Sequence, residues 1–178
     1  MKKMIQPFDY AGEICKAMPT GILMTTCNNG QVNTMTIGWG MIGIEWGRPM
    51  FLGFVRESRF TRELLRNNQE FTINVPYGDF DKTILGFCGR NSGRDTDKIQ
   101  ALGLTLEEPQ TISVPGIREL PLTLECRVVY QQDQDLSRLD SGLCQRYYPQ
   151  NVDSSYPGSN RDHHIAFYGE ILAAYIIE

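Results

Sequence analysis

The chain has 178 residues, a length that fits one domain, and its 41% hydrophobic and 21% charged residues are ordinary for a soluble globular protein. The formal net charge of -4 argues against nucleic acid as a partner, because phosphate backbones bind surfaces rich in lysine and arginine. No apolar run approaches the roughly 18 residues of a membrane span, and no apolar segment follows the N-terminal lysines, so we expect a cytoplasmic protein without a membrane partner.

The metal-ligating residue types are sparse and scattered. The five cysteines form no Cys-x-x-Cys pair, which predicts reduced thiols rather than disulfides or a zinc site. The two histidines, His163 and His164, are adjacent, and neighbours on a strand point to opposite faces. They would chelate one metal ion poorly, so we predict no metal site.

The first elements are a helix and a hairpin. A helix is predicted over Asp9–Met18, with Asp9 as its N-cap residue and Pro19 ending it. The apolar, threonine-rich Gly21–Cys27 and the alternating Gln31–Trp39 flank an Asn-Asn-Gly turn. This pattern predicts two antiparallel strands.

Two strands and two helices follow. Met50–Val55, between Pro49 and Arg56, and Glu70–Val75, closed by Pro76, are predicted to be strands. Between them, Ser58 is predicted to cap a helix that extends to about Asn67. A second helix is predicted over Asp81–Phe87.

The last part of the chain alternates between a polar loop and long strands. Gly89–Asp97 is predicted to be a polar loop, and Leu120–Gln132 alternates as a strand. The segment from about 133 to 163 shows no periodicity and is predicted to be an irregular insertion, either a functional flap or a partly mobile stretch. His164–Ile177 is a final strand, apolar on both faces, in which Gly169 permits a bend or bulge.

The order of elements indicates the fold class. Strands outnumber helices and follow one another in hairpin order, which favours a mainly β, mostly antiparallel barrel with flanking helices. Because a small barrel would not cover the apolar final strand on both faces, we expect a homodimer.

The first candidate site lies where a strand is followed by a helix. The start of a helix exposes unpaired backbone N–H groups that favour anions, and this one is flanked by Arg56, Ser58, Arg59 and Thr61. Arginine forks and hydroxyls suit phosphate oxygens. The residues alone leave open the alternative of a capped helix with arginines on a solvated face.

Two further segments are candidates for ligand contact. On the strand Asn33–Trp39, one face carries the small residues Thr34, Thr36 and Gly38, against which a flat polar ring would lie; an ordinary outward threonine-rich face is the alternative. The loop that ends in Lys98 lacks the spacing of a Walker phosphate loop, and a plain polar connection is the alternative there.

In combination, these segments resemble the flavin reductase-like family, and within it the flavoredoxin-type branch. The resemblance extends from about Phe8 to the C-terminus, and its most specific segments are Asn33–Thr36 and Ser92–Lys98. The other matching segments are Gly21–Thr26, Arg56–Thr61, Phe71–Val75, Leu124–Cys126 and His164–Ile171.

The resemblance implies one domain over residues 1–178 that folds as an antiparallel split β-barrel and binds FMN. It implies that the flavin ring and ribityl chain lie along Asn33, Thr34, Met35, Thr36, Gly38 and Trp39. It implies a phosphate end at Arg56, Ser58, Arg59 and Thr61, and a closing loop with Ser92, Gly93, Arg94 and Lys98. His164 matches a histidine near the ring, where it would orient the flavin or the nicotinamide as the candidate catalytic residue.

The function implied is that of an oxidoreductase. Electrons would pass from NAD(P)H through bound FMN to a free flavin, a small molecule or an acceptor protein. FMN is expected in preference to FAD, because no Gly-x-Gly-x-x-Gly segment is present to bind a pyrophosphate. The alternatives are an FMN-binding carrier or sensor without turnover and a barrel that has lost its ligand site.

Overall fold

The structure is a computed structural model, and it describes residues 1–152 and 161–178. The strands within these ranges are β1 (Lys2–Met4), β2 (Ile22–Asn28), β3 (Gln31–Ile37), β4 (Gly40–Glu45), β5 (Arg48–Arg56), β6 (Glu70–Val75), β7 (Leu106–Glu107), β8 (Gly116–Ile117), β9 (Leu122–Asp133) and β10 (His164–Ile177). The helices are α1 (Ala11–Ala17), α2 (Phe60–Asn67), α3 (Thr83–Arg90), α4 (Lys98–Leu102) and α5 (Ser141–Tyr147), with 3-10 turns at Pro7–Tyr10 and Leu136–Arg138.

One antiparallel sheet organises the fold. Its strands follow the order β3-β2-β6-β9-β10-β5-β4, and β1 pairs with the far end of β10, while β7 and β8 form a separate small ladder. The predicted class, mainly β and antiparallel with flanking helices, is confirmed. The sheet is not closed, because β3 and β4 are its two ends.

Strand β10 lies at the centre of the sheet and supplies much of the core. It pairs with β9 on one side and with β5 and then β1 on the other. Its register with β9 shifts at Gly169, where an added Cβ would lie 2.8 Å from Phe71 Cε1 and 2.9 Å from Cys126 Cβ, so only glycine fits. Most of β10 is buried by this one chain, so the expectation that its two apolar faces need a second copy is wrong.

Two predicted helix starts differ from the structure. Helix α1 begins at Ala11, and Asp9 lies in the 3-10 turn before it without capping the helix. Helix α2 begins at Phe60 after Arg59, and the Ser58 side chain makes no capping hydrogen bond, so the prediction of Ser58 as N-cap is wrong.

The second half of the predicted hairpin is shorter than expected. Strand β3 ends at Ile37, and the chain turns at Trp39 into β4, which was not predicted. Strand β4 is largely exposed and, within the described part of the chain, pairs with β5 alone, so it lacks the buried alternation that marks a strand in sequence.

The described parts of the predicted insertion, residues 133–152 and 161–163, contain regular elements that the sequence did not indicate. Strand β9 extends to Asp133, and helix α5 is capped by the Asp140 carboxylate, which accepts from the backbone N–H groups of Gly142 and Leu143 at 3.0 Å each. Residues 153–160 of the predicted insertion lie outside the described residues. Over the two described ranges, the helices are all too short or too polar to cross a membrane.

Candidate functional site

Two adjoining cavities lie between the end of β3, the start of α2 and the loop before α4. We call them the polar cavity, of about 150 Å³, and the aromatic cavity, of about 220 Å³. Met35, Arg56 and Arg59 line both, so the two form one groove. The polar cavity is also lined by Asn33, Ser58, Phe60, Thr61, Asn91, Ser92, Gly93, Arg94 and Lys98. The aromatic cavity is also lined by Thr36, Ile37, Gly38, Trp39, Phe54 and His164.

The structure therefore brings the three sequence-predicted segments and His164 to one groove. Of the predicted flavin-contacting residues, Thr34 lines neither cavity. Its hydroxyl lies 3.0 Å from the Thr25 hydroxyl, and the Thr36 hydroxyl donates to the Leu85 carbonyl at 2.6 Å. Thr34 is buried, whereas Thr36 and Gly38 of the same face line the aromatic cavity, so the flavin contact of Thr34 stays a prediction.

Cationic groups concentrate at the polar cavity. The Lys98 side chain is 4% exposed, and its Nζ donates to the carbonyls of Thr34 at 2.7 Å and Cys88 at 3.2 Å. Burial lowers the Lys98 pKa to about 8. Among the described residues, no carboxylate lies within 4.0 Å of Lys98 or Arg59. A buried charge without a counter-charge is costly, so this cavity favours an anionic ligand.

Arg59 lies half-buried between the two cavities. Its Nη1 donates to the Gly89 carbonyl at 3.4 Å, and the described residues accept no other hydrogen bond from this guanidinium, whose remaining donors could bind a ligand. Burial and the neighbouring Arg56 charge lower the Arg59 pKa, and Asp162 opposes them. A bound anion would offset both the burial of the Arg59 charge and its repulsion by Arg56.

Asp162 is a residue of this site that the sequence did not indicate. Its carboxylate accepts from the backbone N–H of Ser58 at 2.8 Å and lies 3.5 Å from the Arg56 guanidinium. Burial acts to raise the Asp162 pKa, but the Ser58 hydrogen bonds and the Arg56 charge hold it below its usual value. This contact joins residues 104 positions apart, and no local pattern predicts it.

A buried acceptor without a partner lies in the wall of the polar cavity. Asn33 Nδ2 donates to Thr61 Oγ1 at 3.0 Å, while Asn33 Oδ1 is buried with no hydrogen-bond partner in the described residues. Gly93 packs against this amide, and an added Cβ there would lie 2.8 Å from Asn33 Cγ and 2.9 Å from Phe60 Cδ1. Buried acceptors are normally satisfied, so a ligand hydroxyl is a fitting partner for this oxygen.

The loop that contains Gly93 is held against α2 by the contacts of Arg94. The Arg94 guanidinium forms an ion pair with Glu63, donates to the Ser58 carbonyl at 3.1 Å and lies 5.6 Å from the Phe60 ring centroid. The Ser92 hydroxyl accepts from the Arg94 backbone N–H at 3.2 Å. Arg94 therefore lies at the rim of the polar cavity with its charge already paired to Glu63.

The aromatic cavity has a ring-lined wall. The centroid of Trp39 lies 4.8 Å from that of His164, 5.5 Å from Tyr147 and 6.3 Å from Tyr148. His164 Nδ1 lies 2.9 Å from the Tyr148 hydroxyl. Burial, reinforced by Arg56, lowers the His164 pKa to about 4, so its imidazole is neutral at pH 7. Sequence reasoning missed Tyr147 and Tyr148, because the stretch around α5 lacks periodicity.

The groove matches the chemical parts of FMN. Lys98 and Arg59, which have no carboxylate partner within the described ranges, suit the phosphate. The Asn33 acceptor suits a ribityl hydroxyl, and the aromatic wall suits a flat ring. The residues present therefore fit this cofactor.

Comparison with known proteins identifies the family of this chain. The model of the flavin reductase like domain matches residues 15–178. An uncharacterised protein of Archaeoglobus fulgidus is 36% identical over 98 residues, 54% of this chain and 54% of that protein. Uncharacterised protein YddH of Escherichia coli K12 is 32% identical over 122 residues, 67% of this chain and 64% of that protein. The chain thus spans between half and two thirds of these relatives.

Solved structures share the fold. Flavoredoxin of Desulfovibrio vulgaris (Miyazaki F) superposes with a TM-score of 0.65 at 20% identity, covering 89% of this chain and 69% of that chain. Flavoredoxin from Methanosarcina acetivorans gives 0.63 at 27% identity, covering 89% and 68%. The FMN-binding domain of a flavin reductases-like enzyme from Shewanella baltica gives 0.63 at 15% identity, covering 99% and 77%. Because the family model matches residues 15–178, most of the chain, this chain belongs to the flavin reductase-like family.

Proposed function

We propose that this protein binds FMN in the groove and acts as an oxidoreductase, passing electrons from NAD(P)H to a second acceptor. The acceptor would be a free flavin, a small molecule or a protein. The observation that carries the proposal is the pair of buried or half-buried cations, Lys98 and Arg59, without a carboxylate partner among the described residues at one end of a groove whose other end is aromatic. Family membership and the FMN-binding protein among the structural relatives support it.

The polar cavity would hold the phosphate. Arg59 and Lys98 supply charge-assisted donors, and Asn33 Oδ1 supplies an acceptor for a ribityl hydroxyl. The small volume of this cavity, about 150 Å³, suits a terminal phosphate better than the continuing chain of FAD. We therefore propose FMN rather than FAD as the cofactor.

The aromatic cavity would hold the flavin ring. When bound, FMN supplies the ability to accept a hydride from a nicotinamide and release electrons to a different acceptor. Trp39, 36% exposed, borders the open side of this cavity and would contact the nicotinamide as it enters. The neutral His164 imidazole offers a hydrogen-bonding nitrogen without placing a positive charge beside the ring.

Arg59→Ala tests where the phosphate binds. Removing a charge-assisted contact should weaken FMN binding about tenfold to hundredfold, the equivalent of about 1.5–3 kcal/mol. Riboflavin lacks the phosphate, so its affinity should change little. The measurement is a titration of apo-protein with each flavin, for wild type and variant.

Arg66→Ala is the matched control, because Arg66 lies exposed on α2, the helix that follows Arg59, and lines neither cavity. It should leave both affinities unchanged. Equal losses for FMN and riboflavin in Arg59→Ala would place Arg59 at the ring or in the scaffold. No loss for either flavin would contradict the proposed phosphate site.

A further inference from the structure

A chain of hydrogen bonds extends from the aromatic cavity towards the surface. His164 lines that cavity, and its Nδ1 lies 2.9 Å from the hydroxyl of Tyr148, which is 5% exposed. The same hydroxyl donates to Oε1 of the half-buried Gln134 at 2.9 Å. Tyr148 and Gln134 line a neighbouring cavity of about 490 Å³, so the contact between His164 and Tyr148 connects the aromatic cavity to this second cavity.

The backbone fixes the members of this chain independently. The Gln134 N–H donates to the His164 carbonyl at 2.9 Å, which prolongs the β9–β10 ladder and sets Gln134 beside the histidine. The Tyr148 N–H donates to the Cys144 carbonyl at 2.8 Å, at the end of α5, and its own carbonyl accepts from Gln150 Nε2 at 3.0 Å. The side chains therefore meet because the β9–β10 ladder positions Gln134 and His164 while the end of α5 positions Tyr148.

The number of protons that these side chains share decides which tautomer His164 adopts. A tyrosine hydroxyl has one proton, and here it is given to Gln134 Oε1. Towards His164 the Tyr148 oxygen can only accept, so the shared proton belongs to Nδ1. We infer that Tyr148 is a positioning residue that holds His164 in its Nδ1–H tautomer and leaves Nε2 as a hydrogen-bond acceptor at the aromatic cavity.

The surroundings keep the imidazole uncharged, which the inference requires. Arg56, Arg59 and His163 act with burial to disfavour its protonation, and Asp162 acts in the opposite direction. The described residues provide no hydrogen-bond partner for His164 Nε2. An acceptor so placed selects an amide-type N–H donor, which both the nicotinamide carboxamide and the flavin imide carry.

The tautomer can be read directly, because the chain has two histidines. Nitrogen NMR on isotope-labelled apo-protein at neutral pH should show a protonated Nδ1 and a bare Nε2 for His164. Tyr148→Phe keeps the ring but removes the hydroxyl, and the His164 resonances should move to a mixture of tautomers. Gln134→Leu removes the acceptor of the Tyr148 hydroxyl, which would then donate to His164 Nδ1. The His164 tautomer should therefore reverse to Nε2–H.

Tyr147→Phe is the matched control, since Tyr147 contacts Trp39 but takes no part in the hydrogen-bond chain. It should leave the His164 resonances in place. A wild-type Nε2–H tautomer would overturn the inference, as would an unchanged spectrum in both Tyr148→Phe and Gln134→Leu. If Tyr148→Phe does not fold, reversal in Gln134→Leu supports the inference, and no reversal overturns it.

The consequence for turnover rests on the proposed function and is measured separately. In Tyr148→Phe, the His164 molecules that carry their proton on Nε2 cannot accept the hydrogen bond from the N–H donor. Binding of that donor should therefore weaken about threefold to tenfold. A higher KM for NAD(P)H with unchanged FMN affinity assigns the donor to the nicotinamide, and weaker FMN binding assigns it to the flavin. If wild-type protein does not bind FMN, the proposed function fails while the tautomer result stands.

Discussion

At the residue scale, Lys98 shows most clearly how the site depends on its ligand. Its ammonium is buried, satisfied by two carbonyls, and not neutralised by any carboxylate within 4.0 Å in the described ranges. Carbonyls solvate an ammonium only in part, so the apo-protein holds a charge that destabilises it. A bound phosphate would remove that cost, which couples folding stability to cofactor binding.

The stability of the apo-protein should therefore depend on the titration of Lys98. Its pKa is about 8 in the folded state and near its ordinary 10.5 when unfolded, so the unfolded chain holds more protons between these values and stability rises with pH. Burial raises the Cys88 pKa to about 11, which opposes this gain above its ordinary value of 9.0. From pH 8 to 9 the Lys98 titration alone contributes about 1 kcal/mol, and the partial ionisation of Cys88 in the unfolded chain reduces the rise in the wild-type free energy of unfolding to roughly 0.5–1 kcal/mol.

Lys98→Met separates this effect from other titrations. The variant should lack the rise between pH 8 and 9, and it should bind FMN at least tenfold more weakly than wild type. Denaturant unfolding of both apo-proteins at the two pH values is the measurement. Identical pH dependence in the two proteins would contradict a buried, charged Lys98.

Sequence reasoning located the residues of the polar cavity but not their partners. Arg56, Arg59 and Thr61 surround one helix start, so their proximity follows from local spacing. The partners Asp162 and Tyr148 contact the groove residues Arg56 and His164, because β10 pairs with β5 and α5 packs beside Trp39. Those are tertiary contacts, which no period in the sequence encodes.

At the element scale, the loop before α4 must pass close to β3 for the polar cavity to exist. The contact of Gly93 with Asn33 and Phe60 leaves no space for a side chain. Gly93→Ala should displace the loop or break the hydrogen bond from Asn33 to Thr61. We expect a loss of about 1–3 kcal/mol of stability and at least tenfold weaker FMN binding, measured by unfolding and flavin titration.

Gly12→Ala is the control for that substitution. Gly12 lies in α1, and an added Cβ there would have no atom within 4 Å. Because alanine favours helix, this variant should keep or gain up to about 1 kcal/mol of stability with unchanged FMN affinity. Equal changes in stability and FMN affinity in the two variants would mean that the close contact of Gly93 with Asn33 and Phe60 does not determine the shape of the site.

Elements with a strong pattern were predicted well, and the others were not. The β2–β3 hairpin followed from its turn, where Asn29 and Gly30 adopt φ values of 49° and 80°, and the bounds of β10 were predicted as the structure has them. Helix α5 has seven residues and no buried one, so it carries no apolar face to detect. Its position is set by the Asp140 cap and by the contacts of Tyr147 and Tyr148 with Trp39.

At the scale of the whole molecule, an apolar surface remains exposed on β4 and its neighbours. The rings of Trp46, Tyr130 and Tyr168 lie 5.0 to 6.1 Å apart, and beside them on β4 Ile44 is 72% exposed. Large exposed aromatic and aliphatic groups together are typical of interaction surfaces. We propose that the expected homodimer forms through this surface and not through β10.

Light scattering at micromolar concentration tests the dimer. Wild type should have twice the mass of the chain, and Ile44→Asp should be monomeric, because the charge would be buried in the interface. Leu106→Asp, at an exposed apolar residue on β7 that is 40% exposed, is the control and should remain dimeric. A monomeric wild type would contradict the proposal.

The visible spectrum of the FMN-loaded protein tests the central claim most directly. After desalting, the protein should keep its yellow flavin absorbance, lose it when NADH or NADPH is added without oxygen, and regain it when a free flavin or quinone is supplied. Protein that remains colourless after incubation with FMN would contradict cofactor binding in the groove. Bound FMN that stays oxidised with both nicotinamides would contradict the oxidoreductase and favour a carrier or sensor.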